Sequence, residues 1–262
     1  RQVPPRTACV AGRQLPVIER SMPVVFFMIL PLGSTRGRGK QRLLSPPIRS
    51  LNRFAMSRAP EQVQDPLRWC AVLALAFWLA CLPHLTAVPH AYFDEVHYLP
   101  AARELLALDE FTNREHPLLG KELIALGIAL FGDNPVGWRL LPTLLGTLAL
   151  FGAMRALWFA SESRFATLAY GVLLATGFHL FVHARIAMLD IFYLGFLALA
   201  AWQFAAAIRQ PEQGRWRLAL TGVALGLAMG AKWNALVVAM LPGLTFFVAR
   251  ALAGRRRLLM SR

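Results

Sequence analysis

The sequence predicts an all-α polytopic membrane protein, and three observations carry that prediction. Hydrophobic residues make up 56% of the chain and charged residues 16%. The apolar residues come in long blocks, as membrane spans require. The net charge of +14 is concentrated at the N-terminus, where residues 1–68 hold twelve Lys/Arg against three acids, and the rest is mostly Arg in short loops between apolar runs. That is the bias that orients membrane proteins, so the basicity reads as topology and no nucleic-acid partner is expected. Cys9, Cys70 and Cys81 all lie outside the large polar loop, and no exported disulfide is expected.

In chain order, residues 1–55 are rich in Pro and Arg and begin with Arg. Their one apolar run, Met22–Leu32, is too short to span a bilayer and lacks a small-residue cleavage site. Residues 1–68 read as a basic, disordered cytosolic segment, with 1–55 expected to be upstream translation or a tail without function. A first span runs from Trp69 to about Val88, and the preceding Arg58 and Arg68 put its start in the cytosol. Residues 89–137 then form an external loop with eight of the fourteen acids and three basic residues.

Tyr98, Leu99, Ala102, Leu105 and Leu106 recur at helical spacing within that loop, with Pro100 tolerable in a first turn. Leu119, Leu123, Leu126 and Leu130 form a second stripe. Its reach of ~21 Å falls short of ~30 Å of hydrocarbon, so two short interfacial helices are predicted. Five more spans follow: Trp138 to Phe159, Phe165 to Val182, Ile191 to Ile208, Leu218 to Ala231, and Ala235 to Leu252, the last kinked at Pro242. Gly222, Gly226 and Gly230 recur every four residues in the fifth, a spacing that suits close helix packing. Residues 253–262 are a basic cytosolic end, and the chain is expected to be truncated there.

This topology gathers Asp94, Glu95, His97, His116, Lys121, Arg139, Arg185, Asp190 and Lys232 on the external face. Adjacent carboxylates at a membrane edge are poorly solvated, which raises a pKa and suits proton abstraction. Cations close to them suit a leaving phosphate, whose oxygens gain charge as the bond breaks, and Lys121, Arg185 and Lys232 are the candidates. Two other classes compete. A transporter would place ionisable groups inside its spans at the midplane, whereas here they sit at span ends. A metallo-hydrolase would use His90, Asp94, His97 and His116, but neither His-Glu-x-x-His nor a Cys pair is present.

Four motifs in order carry a family resemblance over about residues 65–252: Phe93-Asp-Glu95, Glu115-His-Pro-Leu-Leu-Gly-Lys121, Ala184-Arg-Ile-Ala-Met-Leu-Asp190, and Gly222 through Gly230-Ala-Lys-Trp233. Together they resemble the protein O-mannosyltransferases and their bacterial relatives, of the GT-C superfamily of multispanning glycosyltransferases. The resemblance implies an inverting single displacement from a polyprenyl- or dolichyl-phosphate sugar, typically mannose, to Ser or Thr of a protein. It places the reaction at the external face of a bacterial plasma membrane. It also implies that Asp94 acts at the acceptor hydroxyl with Glu95 supporting it or binding acceptor. His116, Lys121, Arg139, Arg185, Asp190 and Lys232 remain for donor phosphate and substrate. No cofactor and no metal are expected; membrane lipid is an expected partner and a dimer an expected assembly. Leu118 stands where the family has a second proline, and this leaves a glycolipid acceptor, as in the related aminoarabinose transferases, as the alternative.

Overall fold

The structure, a computed structural model, describes residues 64–109 and 113–260, with the backbone alone at 246, 249–250 and 253–260. The N-terminal segment with its Met22–Leu32 run and Cys9, together with Glu110 and the last two residues, lies outside the described residues. The described residues form nine α-helices and one 3-10 turn, Pro211–Gln213.

Helix α1 (Leu67–Cys81) stops short of the expected Val88. Pro83 lacks the N–H that would continue the ladder, and His84 at φ 60° turns the chain. Helices α2 (Glu95–Ala107) and α3 (Leu119–Phe131) stand where the two short loop helices were expected. Pro100 is the sixth residue of α2 and not in its first turn; it shares an exposed face with Val96, to whose carbonyl it has no N–H to donate. The longest helix, α4 (Pro135–Ser161), starts on Asn134, whose side chain accepts from Val136 N and Gly137 N, with Pro135 at the first helical position. Ser163 caps α5 (Arg164–Thr176) in the same way. The expected third span is broken by extended Gly177, so a short α6 (Phe178–His183) follows. Helices α7 (Leu189–Arg209), α8 (Gly214–Ala231) and α9 (Ala235–Met260) complete the described chain.

Every one of the six expected spans therefore holds helix, but among the described residues two helices, α4 and α7, are long and apolar enough by themselves to cross a bilayer. Helix α4 is central: it packs most extensively on α7 and also on α1, α3 and α5. Their shared core includes Phe77, Leu99, Ile124, Leu150, Met154 and Phe192. The α4–α7 contact is close because glycines line it. A Cβ at Gly152 would meet the carbonyl carbon of Ala198 at 2.8 Å, and one at Gly195 the carbonyl oxygen of Leu145 at 2.8 Å. The expected stripe on α8 behaves otherwise, since nothing described lies within 4 Å of a Cβ built at Gly222 or Gly226. Helix α9 exposes Val237, Met240, Leu241 and Phe247.

Candidate functional site

Asp94 and Glu95 are consecutive, yet they face different surroundings because α2 begins between them. Asp94 is the N-cap residue, half-buried, and its side chain does not close the cap. Among the described residues nothing hydrogen-bonds its carboxylate. Glu95, the first helical residue, is fully buried. Its Oε1 accepts from Arg139 Nε at 2.8 Å and from the Ala187 backbone N–H at 2.9 Å. Its Oε2 accepts from Arg139 Nη2 at 2.7 Å and from the Tyr92 N–H at 3.3 Å.

Arg139, 2% exposed on the first turns of α4, is occupied just as fully. Besides Glu95 it donates through Nη1 to the carbonyls of Leu85 (2.8 Å) and Val88 (2.7 Å), and through Nη2 to that of His90 (3.2 Å). A guanidinium has five N–H groups, and all five are in use here. The pair thus fastens the α1–α2 connection, the start of α2, α4 and the α6–α7 connection to one point.

Lys121, in the first turn of α3 and fully buried, points its ammonium at the loop before it. Nζ donates to the carbonyls of Asn113 (2.6 Å) and His116 (2.9 Å) and to Asn113 Oδ1 (3.3 Å). Burial holds its pKa below the usual lysine value, with Glu115 opposing. The loop it organises sets the His116 ring edge-on to Tyr98, centroids 6.1 Å apart. Burial foremost, and then the charges of Lys232 and Lys121, hold His116 below its ordinary pKa. Its Nδ1 is buried with no hydrogen-bond partner among the described residues. Asp190, in the first turn of α7, takes Lys232 from the end of α8 in a two-oxygen ion pair of 2.7 and 2.8 Å.

Arg185 lies on the connection between α6 and α7, over the Phe181 ring at 5.0 Å, and donates through Nη2 to the Pro83 carbonyl at 2.5 Å. Its Nε is buried and has no hydrogen-bond partner among the described residues. A cleft of about 310 Å³ opens beside it, lined also by His84, Val88, Tyr92, Arg139 and Phe181. A larger cleft near Asp65, Arg68 and Arg164 belongs to the other end of α4, where Arg155 pairs with Asp65.

The structure therefore gathers two neighbouring groups. Asp94, His116 and Asp190 lie around Tyr98, whose phenol feels the charge of both carboxylates, and Lys232 joins them through its pair with Asp190. Glu95, Arg139 and Arg185 meet beneath the 82–92 segment. His90 and His97 are exposed, and no three His, Cys, Asp or Glu groups converge among the described residues. Sequence reasoning treated Tyr98 as part of an apolar stripe; its place one helical turn after Asp94 was the available signal.

Residues 131–262 match the family model described as dolichyl-phosphate-mannose-protein mannosyltransferase. The chain is 32% identical over 216 residues to the polyprenol-phosphate-mannose–protein mannosyltransferase of Corynebacterium glutamicum, covering 69% of this chain and 42% of that protein. A protein of the same name in Mycobacterium tuberculosis is 34% identical over 222 residues, 72% of this chain and 42% of its own. For Mycolicibacterium smegmatis the identity is 31% over 192 residues, 63% and 37%. The chain spans less than half the length of these curated relatives.

Proposed function

This chain belongs to the dolichyl-phosphate-mannose-protein mannosyltransferase family, and from that premise we propose that the protein transfers mannose from a polyprenyl-phosphate carrier to Ser or Thr hydroxyls of proteins. Asp94 removes the proton from the acceptor hydroxyl. The freed oxygen attacks the sugar's anomeric carbon as the bond to phosphate breaks, inverting that centre, and the carrier phosphate leaves with the bonding pair. Arg185, with an N–H still to give, faces the charge that develops on it. The observation that carries this reading is the contrast among the carboxylates. Glu95 and Asp190 are tied to cations, whereas Asp94 has no hydrogen-bond partner among the described residues and stays available as a base.

The same contrast reassigns other candidates. Glu95 and Arg139 position Asp94 and the 82–92 segment, and Lys121 positions the His116 loop. The Asp190–Lys232 pair stands beside the site. The protein crosses the membrane six times within 69–252, with residues 89–137 outside. Helix at all six places supports this, as does the meeting of the site residues at the Arg139 end of α4 while Arg155, roughly 24 Å along the same helix, marks the other.

The test is mannosyl transfer to a Ser/Thr peptide in membranes of cells expressing the protein. Asp94→Asn keeps size but cannot take a proton, and turnover should fall roughly 10²- to 10⁴-fold with membrane levels unchanged. EDTA should leave wild-type transfer intact. A fully active Asp94→Asn variant, or activity lost to EDTA and restored by divalent metal, would overturn the reading.

A further inference from the structure

Among the polar groups near Asp94, most are fully engaged: Glu95 with Arg139, Lys121 with loop carbonyls, Asp190 with Lys232. Two beside it are not. The Tyr98 ring is 4% exposed, and no group among the described residues hydrogen-bonds its hydroxyl. His116 Nδ1 is buried and unpartnered among the described residues, on a ring that packs edge-on against Tyr98. Buried polar groups in proteins are nearly always paired, so the unpartnered His116 nitrogen asks for a ligand, and the Tyr98 hydroxyl beside it, which is not itself sealed from solvent, is open to the same one. Tyr98 lies one turn after Asp94 on the same face of α2.

Resting on the mannosyltransferase reading, we propose that Tyr98 and His116 together seat a substrate hydroxyl beside Asp94, the phenol and the imidazole nitrogen each hydrogen-bonding an alcohol of the acceptor or of the donor sugar. An alcohol both donates and accepts, and this pair offers both complements. The phenol keeps its proton: burial first, then the charges of Asp94 and Asp190, push its pKa up to about 12. It is therefore a donor across the working range, next to a carboxylate that accepts. Burial, with Lys232 and Lys121 nearby, lowers the pKa of His116, which favours the uncharged ring, the form whose nitrogen can accept.

Steady-state transfer from polyprenyl-phosphate-mannose to a synthetic Ser/Thr peptide, in membranes of cells expressing the protein, distinguishes the sources. Tyr98→Phe keeps the ring and removes the hydroxyl; His116→Phe keeps a ring against Tyr98 and removes the nitrogen. Each should raise one KM roughly 3- to 10-fold, the worth of a neutral hydrogen bond, with a smaller change in kcat. A rise in peptide KM assigns the seat to the acceptor, a rise in donor KM to the sugar. His116→Asn, which restores a polar atom near Nδ1, should recover most of the loss, and Tyr170→Phe on α5 should change nothing. If Tyr98→Phe fails to accumulate, the His116→Phe and His116→Asn pair decides. Unchanged KM for both substrates overturns the seat. If the wild-type protein transfers no mannose the function itself fails, whereas an active wild type, an inactive Asp94→Asn and unaltered Phe variants sink the seat alone.

Discussion

Asp94 and Glu95 show how far one step along a helix start separates two like side chains. Glu95 turns inward to a guanidinium 44 residues away, and Asp94 is left at the edge of the site. A buried ion pair of this kind is costly to desolvate and costlier to break, because the remaining charge has no partner. Arg139→Met should destabilise the protein by about 3–5 kcal/mol and lower activity by misplacing the segment it holds. The double variant Glu95→Leu/Arg139→Met removes the orphaned charge, so its loss of unfolding temperature in detergent should be smaller than the sum of the two single losses. Additive losses would mean that the two residues are not coupled.

At the scale of elements, the α4–α7 contact carries the site, since α4 supplies Arg139 and α7 supplies Asp190. Their approach depends on glycines facing backbone, which cannot rotate away as a side chain can. Gly152→Ala drives a methyl against Ala198 and should cost about 1–3 kcal/mol by overpacking. Gly222→Ala meets nothing described and should be neutral or stabilise by up to about 1 kcal/mol through helix propensity. Thermal unfolding of the two variants in detergent checks the contrast. Equal losses would mean that α8, too, packs through its glycine stripe.

For the whole molecule, the proposed topology has the acid-rich 89–137 segment on one side and the basic connections on the other. Glu115 and Glu212, both exposed, fall on opposite sides. In a background lacking Cys9, Cys70 and Cys81, a membrane-impermeant thiol reagent applied to intact cells should label Glu115→Cys and spare Glu212→Cys. Labelling of both, or of Glu212→Cys alone, would reverse or break the six-span arrangement. Cys70 and Cys81 are fully buried, so their removal calls for small apolar replacements.

Helix was legible in the sequence at every long apolar run among the described residues, because length, periodicity and hydropathy are sums over ten or twenty neighbouring residues. The same locality made the Asp94 end of the first span conspicuous, and the ordered motifs from Phe93 to Trp233 identified the family. Breaks at Pro83 and Gly177 shortened two of the expected spans, where single residues outweighed the average. Partner choice was decided by the tertiary structure alone. Residue type alone made Glu95 a catalytic candidate and Lys121 a phosphate-binding one; the fold supplies Arg139 to the first and the carbonyls of Asn113 and His116 to the second. The regular glycine stripe of α8 packs less than the unannounced Gly152 and Gly195. A side chain's hydrogen-bonding capacity is a property of its type, but whether a partner reaches it depends on segments tens of residues away being brought within 3 Å.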